Sequence, residues 1–306
     1  MFDHFAWSVL ATPLLVALGA HLLIDRLRPE SALRVFAWSA VVAAAASTVT
    51  LLLFAVKALV EVPAVAALGG FSPEPVVADT AHVPWVSWVS LTWVVLVAVM
   101  TGWRWHGRRA ALRAARAAVE GLPPRGDLVT VADDRVAAFA LPGRPRRIVV
   151  TTGMLAVLDE RQRGALIAHE RAHLAGGHHR LVWATRLAAT AHPVLWPVAR
   201  QVAYLVERVA DESAAAELGD RHHVARAIGV AALAAKADRG PLGALMALGP
   251  APGTVPRRVS ALMAPRPRLG WPGVVLVLLA AGTVLWTAEC ARDLQELLEL
   301  ATIHPR

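Results

Sequence analysis

The chain has 306 residues, of which 56% are hydrophobic, with a mean hydropathy of +0.50, a net charge of +8 and a pI near 11.1. Ordinary soluble domains are about 45–50% apolar, so this composition indicates a membrane protein and argues against a soluble one. The chain is basic, but it has no nucleic-acid-binding motif and only two lysines, Lys57 and Lys236, so we expect no direct nucleic-acid binding. The single cysteine, Cys290, excludes an internal disulfide and a cysteine-rich zinc site.

Four windows are long and apolar enough to cross a bilayer, which takes about 20 residues: 5–24, 35–59, 85–103 and 269–288. Tryptophans stand near the ends of the last two windows, as at membrane interfaces: Trp85, Trp88, Trp103, Trp105, Trp271 and Trp286. The first window lacks a basic n-region and is followed by Arg26 and Arg28. We therefore interpret it as a retained anchor and not as a cleaved signal peptide.

The arginines predict the orientation, because positively charged loops stay in the cytoplasm. They flank the second window at Arg26, Arg28 and Arg34, follow the third from Arg104 to Arg116, and precede the fourth at Arg266 and Arg268. The connection between the second and third windows is acidic instead. We expect a multi-pass protein of the cell membrane with its N-terminus outside, and contact between its arginines and the headgroups of the lipid bilayer.

The windows divide the chain into four parts. Residues 1–103 form a three-helix transmembrane region, 104–268 a cytoplasmic domain, 269–288 the fourth transmembrane helix and 289–306 a short extracytoplasmic tail. The domain opens with an Ala/Arg-rich helix at 104–120, which Gly121 and the following prolines end. Three short strands are predicted at 127–131, 136–141 and 147–151, and residues 136–140 are the candidate edge strand for pairing with an extended substrate.

His169-Glu170-Arg171-Ala172-His173 is the most informative motif. It lies in a predicted helix at 159–175 that Gly176-Gly177 ends. Residues i and i+4 project from one helix face, so His169 and His173 can bind one Zn²⁺ at about 2.0–2.1 Å. Glu170 flanks that face and can take a proton from water as the catalytic base. The alternative is an amphipathic helix whose histidines only face solvent or the core.

Two residues compete for the third ligand position. His179 completes the string H-E-x-x-H-x-x-G-x-x-H, as in a metzincin. Glu207 follows the apolar residues 202–206, where a buried carboxylate needs a cation, and Asp211 lies one turn later to hold a ligand imidazole. We prefer Glu207, with Asp211 in support. His178 and His179 then remain as oxyanion contacts, alternative ligands or polar residues at a helix end.

The segments that follow are less informative. Residues 181–206 are largely apolar but interrupted by prolines and charges, and predict two helices at or dipping into the membrane surface. A fifth crossing would separate Glu207 from His169, which argues for a re-entrant or peripheral pair. Residues 239–268, rich in Gly and Pro, predict a loop with no chemical role.

HERAH, the GGH after it, His192-Pro193 with its apolar stretch and ERVAD together resemble the membrane-embedded metallopeptidases of the BlaR/MecR type. The CAAX prenyl protease/HtpX group is a more distant relative. The resemblance covers residues 86–225, and residues 138–155 resemble the β-hairpin before the zinc helix of those enzymes. It implies zinc ligands at His169, His173 and Glu207, a catalytic Glu170 and a supporting Asp211. Only about 20 residues follow the last window, so a β-lactam sensor is not expected.

These observations predict a mainly α membrane protein with four transmembrane helices and an α+β zincin-like metalloprotease domain between the third and fourth. The expected activity is that of a zinc-dependent endopeptidase acting at the cytoplasmic face on a protein or peptide substrate. By analogy with the BlaR/MecR type, that substrate is a transcriptional repressor cleaved in signalling. The alternatives are membrane-protein quality control and a non-catalytic transducer that keeps zinc in a closed four-ligand site.

Overall fold

The computed structural model describes residues 2–79, 81–237, 254–265 and 273–303. The N-terminal helices are α1 (Phe2–Leu23), α2 (Pro29–Val60), α3 (Pro63–Gly69), α4 (Pro73–Asp79) and α5 (Trp85–Ala117). Three strands follow, β1 (Leu128–Val131), β2 (Ala138–Leu141) and β3 (Arg147–Thr151). The later helices are α6 (Thr152–Val157), α7 (Glu160–Ala175), α8 (His178–Ala191), α9 (Trp196–Leu218), α10 (Arg221–Ala237), α11 (Val255–Met263) and α12 (Gly273–Ile303).

Four of the described helices, α1, α2, α5 and α12, are long and apolar enough to cross a membrane. They coincide with the four predicted windows, although residues 269–272, with Trp271, and the arginines at 266 and 268 lie outside the described residues. The third window and the helix predicted at 104–120 are one continuous helix, α5. The fourth window likewise continues into the tail as α12. Length and apolarity predicted the spans but not where each helix ends.

Helix α2 is the centre of the bundle and contacts α1, α5, α8, α9 and α12. Its buried face is rich in small side chains: Ala32, Ala37, Ala40, Ala43, Ala44, Ala46 and Ser47. Small residues let helix backbones approach closely, which is how helices associate where lipid removes the hydrophobic driving force.

Helices α1 and α12 are joined by a ladder of polar side chains. Thr12 lies 3.0 Å from Thr283, Ser8 lies 3.4 Å from Thr287, and His4 lies 2.9 Å from Asp293. Gly19 continues this seam, because a Cβ there would lie 2.6 Å from a methyl group of Leu276. The ladder satisfies polar groups inside an apolar bundle and fixes the register of the two helices.

Helices α8 and α9 form a hairpin that turns at Pro193–Leu195. At its tip, Trp93 Nε1 of α5 donates a hydrogen bond of 3.1 Å to the Ala191 carbonyl. His192 Nε2 donates one of 2.7 Å to the carbonyl of Val9. Val9 belongs to a π-helical turn of α1, Ala6–Ala11, where the regular helical hydrogen bonding is broken. The hairpin thus sits between α1 and α5 and brings both of its ends back to one side.

The three strands form one sheet with β3 in the centre. β1 pairs with β3 in parallel and β2 pairs with β3 antiparallel. The predicted strands agree with these bounds to within two residues. β3 is the most buried strand because it lies between the other two strands, whereas β2 is at an edge of the sheet. α7 packs against both β2 and β3. Asp159 and Gln162 form a capping box at the start of α7. The helix therefore begins at the predicted position.

The prediction for residues 239–268 was wrong in its described part. Residues 255–263 form helix α11, which packs against α10 with Leu262 buried. Arg258 of α11 is also buried and points toward α9. Residues 239–253 and 266–268 lie outside the described residues. An arginine on the inner face of a nine-residue helix needs an acidic partner, and that partner is found in the site.

Candidate metal centre

Helix α7 brings its two histidines to one face. His169 and His173 are one turn apart, and their Nε2 atoms lie 3.0 Å from each other. His169 and Glu170 are buried because α7 packs between the sheet and α9. The i, i+4 spacing within α7 is therefore sufficient to place the two imidazoles side by side.

Glu207 of α9 completes a triangle of donor atoms. Its carboxylate oxygens lie 3.4 Å from His169 Nε2 and 3.6 Å from His173 Nε2. Ligand atoms held about 2.0–2.1 Å from a tetrahedral zinc ion are about 3.3 Å apart. The 3.4 Å distance is to Oε2 of Glu207 and the 3.6 Å distance is to its Oε1. The three separations bracket the expected value, and these three side chains form a group able to hold one metal ion. The donor set therefore fits Zn²⁺.

Each imidazole has a second contact on the far side of its ring. Asp211 Oδ1 lies 2.9 Å from His169 Nδ1, and His178 Nδ1 lies 3.2 Å from His173 Nδ1. Contacts of this kind orient a ligand ring and select its tautomer. His178 therefore lies behind His173, away from the Nε2 atom that faces Glu207. His179, the alternative third ligand, lines the neighbouring cleft instead.

Glu170 lies beside this triangle at the floor of a cleft of about 200 Å³. Burial raises the pKa of its carboxyl group, while the backbone N–H of Ala140 acts in the opposite direction. The cleft is lined on one side by the edge strand β2 and on the other by α5, α8 and α9.

Comparison with known proteins gives a family. The model of peptidase family M48 matches residues 106–265, from the C-terminal part of α5 to just beyond the end of α11. The chain belongs to peptidase family M48. No curated protein and no solved structure matches it.

Membership of family M48 confirms the predicted resemblance to membrane-embedded metallopeptidases, and together with the four apolar helices it makes this chain a membrane metallopeptidase. It does not separate the BlaR/MecR type from the HtpX group. The matched region contains every residue of the centre: the two histidines and Glu170 on α7, Glu207 and Asp211 on α9, and His178 on α8.

Arg258 is the residue of this M48 centre that the sequence analysis missed. Its guanidinium donates two hydrogen bonds to the Asp211 carboxylate, at 2.6 and 2.8 Å, and lies 3.0 Å from Glu207 Oε2. These contacts hold the pKa of Asp211 below its usual range despite burial. Arg208, the neighbour of Glu207 in the sequence, packs near the Tyr204 ring instead. The sequence feature that could have indicated its role is the position of Arg258 on one helix face with Val255, Val259 and Leu262.

The pKa values of the two candidate ligand histidines are shifted in opposite directions. Burial disfavours the imidazolium form of His169, but the carboxylates of Asp211 and Glu207 outweigh it and raise its pKa to about 10. Burial and the neighbouring His169 charge lower the pKa of His173 to about 3. The buried carboxylates of Asp211 and Glu207 therefore favour a positive charge on His169.

Proposed function

We propose that this chain is a zinc-dependent endopeptidase of the cell membrane, with its active site on the cytoplasmic side. The observation that carries the proposal is the triangle of His169, His173 and Glu207 donor atoms, 3.0, 3.4 and 3.6 Å apart, with Glu170 beside it in an open cleft. Imidazole and carboxylate donors in this number leave one position for water or substrate, as in catalytic zinc sites.

His169, His173 and Glu207 would hold a zinc ion, which would supply a Lewis acid and would lower the pKa of a water molecule toward about 7. Glu170 accepts a proton from that water as its oxygen attacks the peptide carbonyl carbon. Glu170 then gives the proton to the leaving amine as the C–N bond breaks. Burial, which raises the pKa of Glu170, suits it to both steps. His179 lines the cleft in its neutral form, since burial and nearby Arg108 lower its pKa to about 4, and can donate one hydrogen bond to the substrate oxygen.

The edge strand β2 is the proposed substrate-binding element. It pairs with β3 on one side only, so its other side can bond an extended peptide backbone. The cleft continues from β2 along Leu112 of α5 and Val182 and Trp183 of α8, which are apolar. A cleft that runs from the metal centre toward the membrane helices favours substrates attached to the membrane, as in quality control. Repressor cleavage in signalling remains a second candidate, supported by the resemblance to the BlaR/MecR type.

The position of His178 argues against a non-catalytic zinc transducer. That alternative requires a fourth protein ligand in the place that water needs. His178 lies against Nδ1 of His173, whereas the metal-facing atom of His173 is Nε2. His178 therefore supports a ligand from behind and leaves the fourth position open.

The proposed orientation follows from the arginines that continue α5 beyond its apolar part. The tip of the α8–α9 hairpin contacts Trp93, eight residues from the start of α5. Eight residues of helix span about 12 Å, so a membrane-spanning α5 places that tip inside the hydrocarbon layer. We therefore propose a re-entrant hairpin that returns Glu207 to the cytoplasmic side.

The test compares two glutamates of α7 in the full-length protein, reconstituted into vesicles. Glu170→Gln should retain bound zinc while cleavage of a co-reconstituted membrane protein with an unfolded tail falls about 100- to 10,000-fold. Glu160→Gln is the matched control, because Glu160 is exposed at the start of the same helix, and it should keep both properties. Unchanged cleavage by Glu170→Gln, or a wild-type protein that binds no zinc, would refute the proposal. Offering the same tail without its membrane anchor separates the two substrate classes.

A further inference from the structure

Three arginines lie together at the end of the cleft where α5 meets α8, and we call them the arginine cluster. Arg104 and Arg108 are one turn apart on α5, and Arg186 lies opposite on α8. Arg108 and Arg186 line the same cleft as the metal centre. Arg186 follows His178 by eight residues of α8, which separates the cluster from the metal centre by about 12 Å of helix.

The arginine cluster has no acidic partner in the part of the chain that the structure describes. None of the ion pairs found there includes any of the three side chains. Burial and the neighbouring charge of Arg104 lower the pKa of Arg186. Arg104 Nε and Trp183 Nε1 are both buried without a hydrogen-bond partner among the described residues. Since buried donors nearly always have an acceptor, this is a group of donors that lacks an anion.

Tryptophan rings hold these guanidinium groups in place. The Arg108 guanidinium lies 4.5 Å from the centre of the Trp183 ring, and that of Arg104 lies 5.7 Å from the centre of the Trp196 ring. Stacking of this kind is favourable and restricts the side-chain conformers. The two arginines are therefore oriented in advance, although their charges repel that of Arg186.

The cluster lies where α5 leaves the apolar layer. Arg104 follows Trp85 by nineteen residues, a distance of about 28 Å along the helix, compared with a hydrocarbon thickness of about 30 Å. Trp103 and Trp105 stand at the same level and are 71% and 42% exposed. Exposed tryptophans beside arginines are typical of the headgroup region of a bilayer.

We propose that the arginine cluster binds the phosphate group of an anionic phospholipid at the membrane end of the cleft. A lipid is favoured over an acidic side chain of the substrate because the cluster lies at headgroup level, where phosphate groups are permanently present at high concentration. Phosphate also offers the several acceptor oxygens that guanidinium groups prefer. The inference requires α5 to span the bilayer but does not require catalysis.

The experiment counts the lipids retained by the full-length Glu170→Gln protein, which avoids any effect of turnover. The protein is purified from bilayers of equal parts phosphatidylcholine and phosphatidylglycerol and analysed by native mass spectrometry. We expect selective retention of phosphatidylglycerol, reduced about fivefold by Arg108→Gln and by Arg186→Gln. Arg186→Lys, which keeps the charge, should stay within about twofold of the parent.

The matched control is Arg113→Gln, which removes the same charge from an exposed position of the same helix and should leave retention unchanged. Zinc content measured on every variant shows that each is folded. Equal loss in Arg113→Gln would overturn the proposal in favour of general surface attraction. Equal retention of phosphatidylcholine would overturn it as well. Displacement of the lipid by free glycerol phosphate would assign the site to a soluble anion, and displacement by an acidic peptide would assign it to the substrate.

Discussion

Replacing Arg258 with methionine tests whether this arginine organises the metal centre. Methionine has a similar length and is apolar, so the substitution removes the guanidinium without leaving a large cavity. It leaves the Asp211 carboxylate, which is 1% exposed, with His169 as its remaining partner in the centre. It also removes the contact of 3.0 Å to Glu207.

The expected effect has two parts. Removing one partner of a buried ion pair costs about 3–5 kcal/mol, because the other charge stays buried without compensation. At about 2–4 °C per kcal/mol, this predicts a melting temperature lower by roughly 6–20 °C. Loss of an outer contact to a metal ligand lowers metal affinity by about 10- to 100-fold. Here both Asp211 and Glu207 lose a contact, so we expect an effect toward the upper end of that range.

Arg257→Met is the control. Arg257 precedes Arg258, but it is 48% exposed and pairs with Asp25, which is 70% exposed. An exposed pair contributes about 0–1 kcal/mol, so this variant should melt within roughly 4 °C of the wild type. Melting is measured on the metal-free protein, so that loss of zinc does not enter, and affinity is measured separately by competition with a zinc-binding dye. Zinc binding by Arg258→Met that is tighter than in the control, with an unchanged melting temperature, would show that the guanidinium competes with the metal for Glu207.

Three further predictions concern the ligand Glu207, the pKa of His169 and the polar contact between Thr12 and Thr283. Glu207→Gln removes a charged ligand. It should lower zinc affinity, measured by equilibrium dialysis, by more than about 100-fold, which is the upper limit for the loss of an outer contact to a ligand. Unchanged zinc content would exclude Glu207 as a ligand. The pKa of His169 is raised to about 10, so zinc must displace a proton when it binds. Zinc affinity should therefore rise about tenfold or more per pH unit between pH 6 and 8. A zinc affinity that does not change with pH would contradict this. Thr283→Val leaves the Thr12 hydroxyl without its partner at 3.0 Å and should lower the melting temperature by about 1–2 °C, whereas an unchanged value would mean that the ladder adds no stability.

Local sequence patterns predicted most of the centre, because most of its residues are spaced one helical turn apart. His169 and His173 are one turn apart on α7, and Glu207 and Asp211 are one turn apart on α9, so each pair shares a helix face whatever the rest of the chain does. The strand bounds were predictable from local sequence as well, since alternating hydrophobicity marks each strand and turn residues mark its ends. The pairing order β1-β3-β2 was not predictable in this way, because it pairs β1 with a strand that is not the next one in the sequence.

Arg258 could not be assigned from spacing. It lies 47 residues after Asp211, and it reaches that carboxylate only because α11 packs on α10. The helix has nine residues, too few to be stable alone, so it forms through its contacts with the rest of the domain. A Gly- and Pro-rich surrounding sequence therefore predicted a loop. The physical signal was a charged residue among apolar ones on a single helix face, which implies a buried acid elsewhere.

The α8–α9 hairpin was predicted by a different kind of argument. Residues 181–206 alone do not distinguish a membrane crossing from a hairpin, because both are apolar. The requirement that Glu207 and His169 reach one metal ion does distinguish them, since a crossing would put them on opposite sides of the membrane. The observed turn at Pro193–Leu195 meets that requirement. Its tip is held by Trp93 and by the carbonyl of Val9, so the transmembrane helices fix the position of a metal ligand.

Charge balance supports the proposal that the centre binds a divalent cation. Glu170, Glu207 and Asp211 are buried and contribute three negative charges when ionised, against the single positive charge of Arg258. A dication brings the sum to zero, which is the condition for burial at low cost. Without it, protons must supply the missing charge, and the raised pKa values of His169 and Glu170 are that response. Zinc binding should therefore displace the proton of His169, and the slope of affinity against pH tests this.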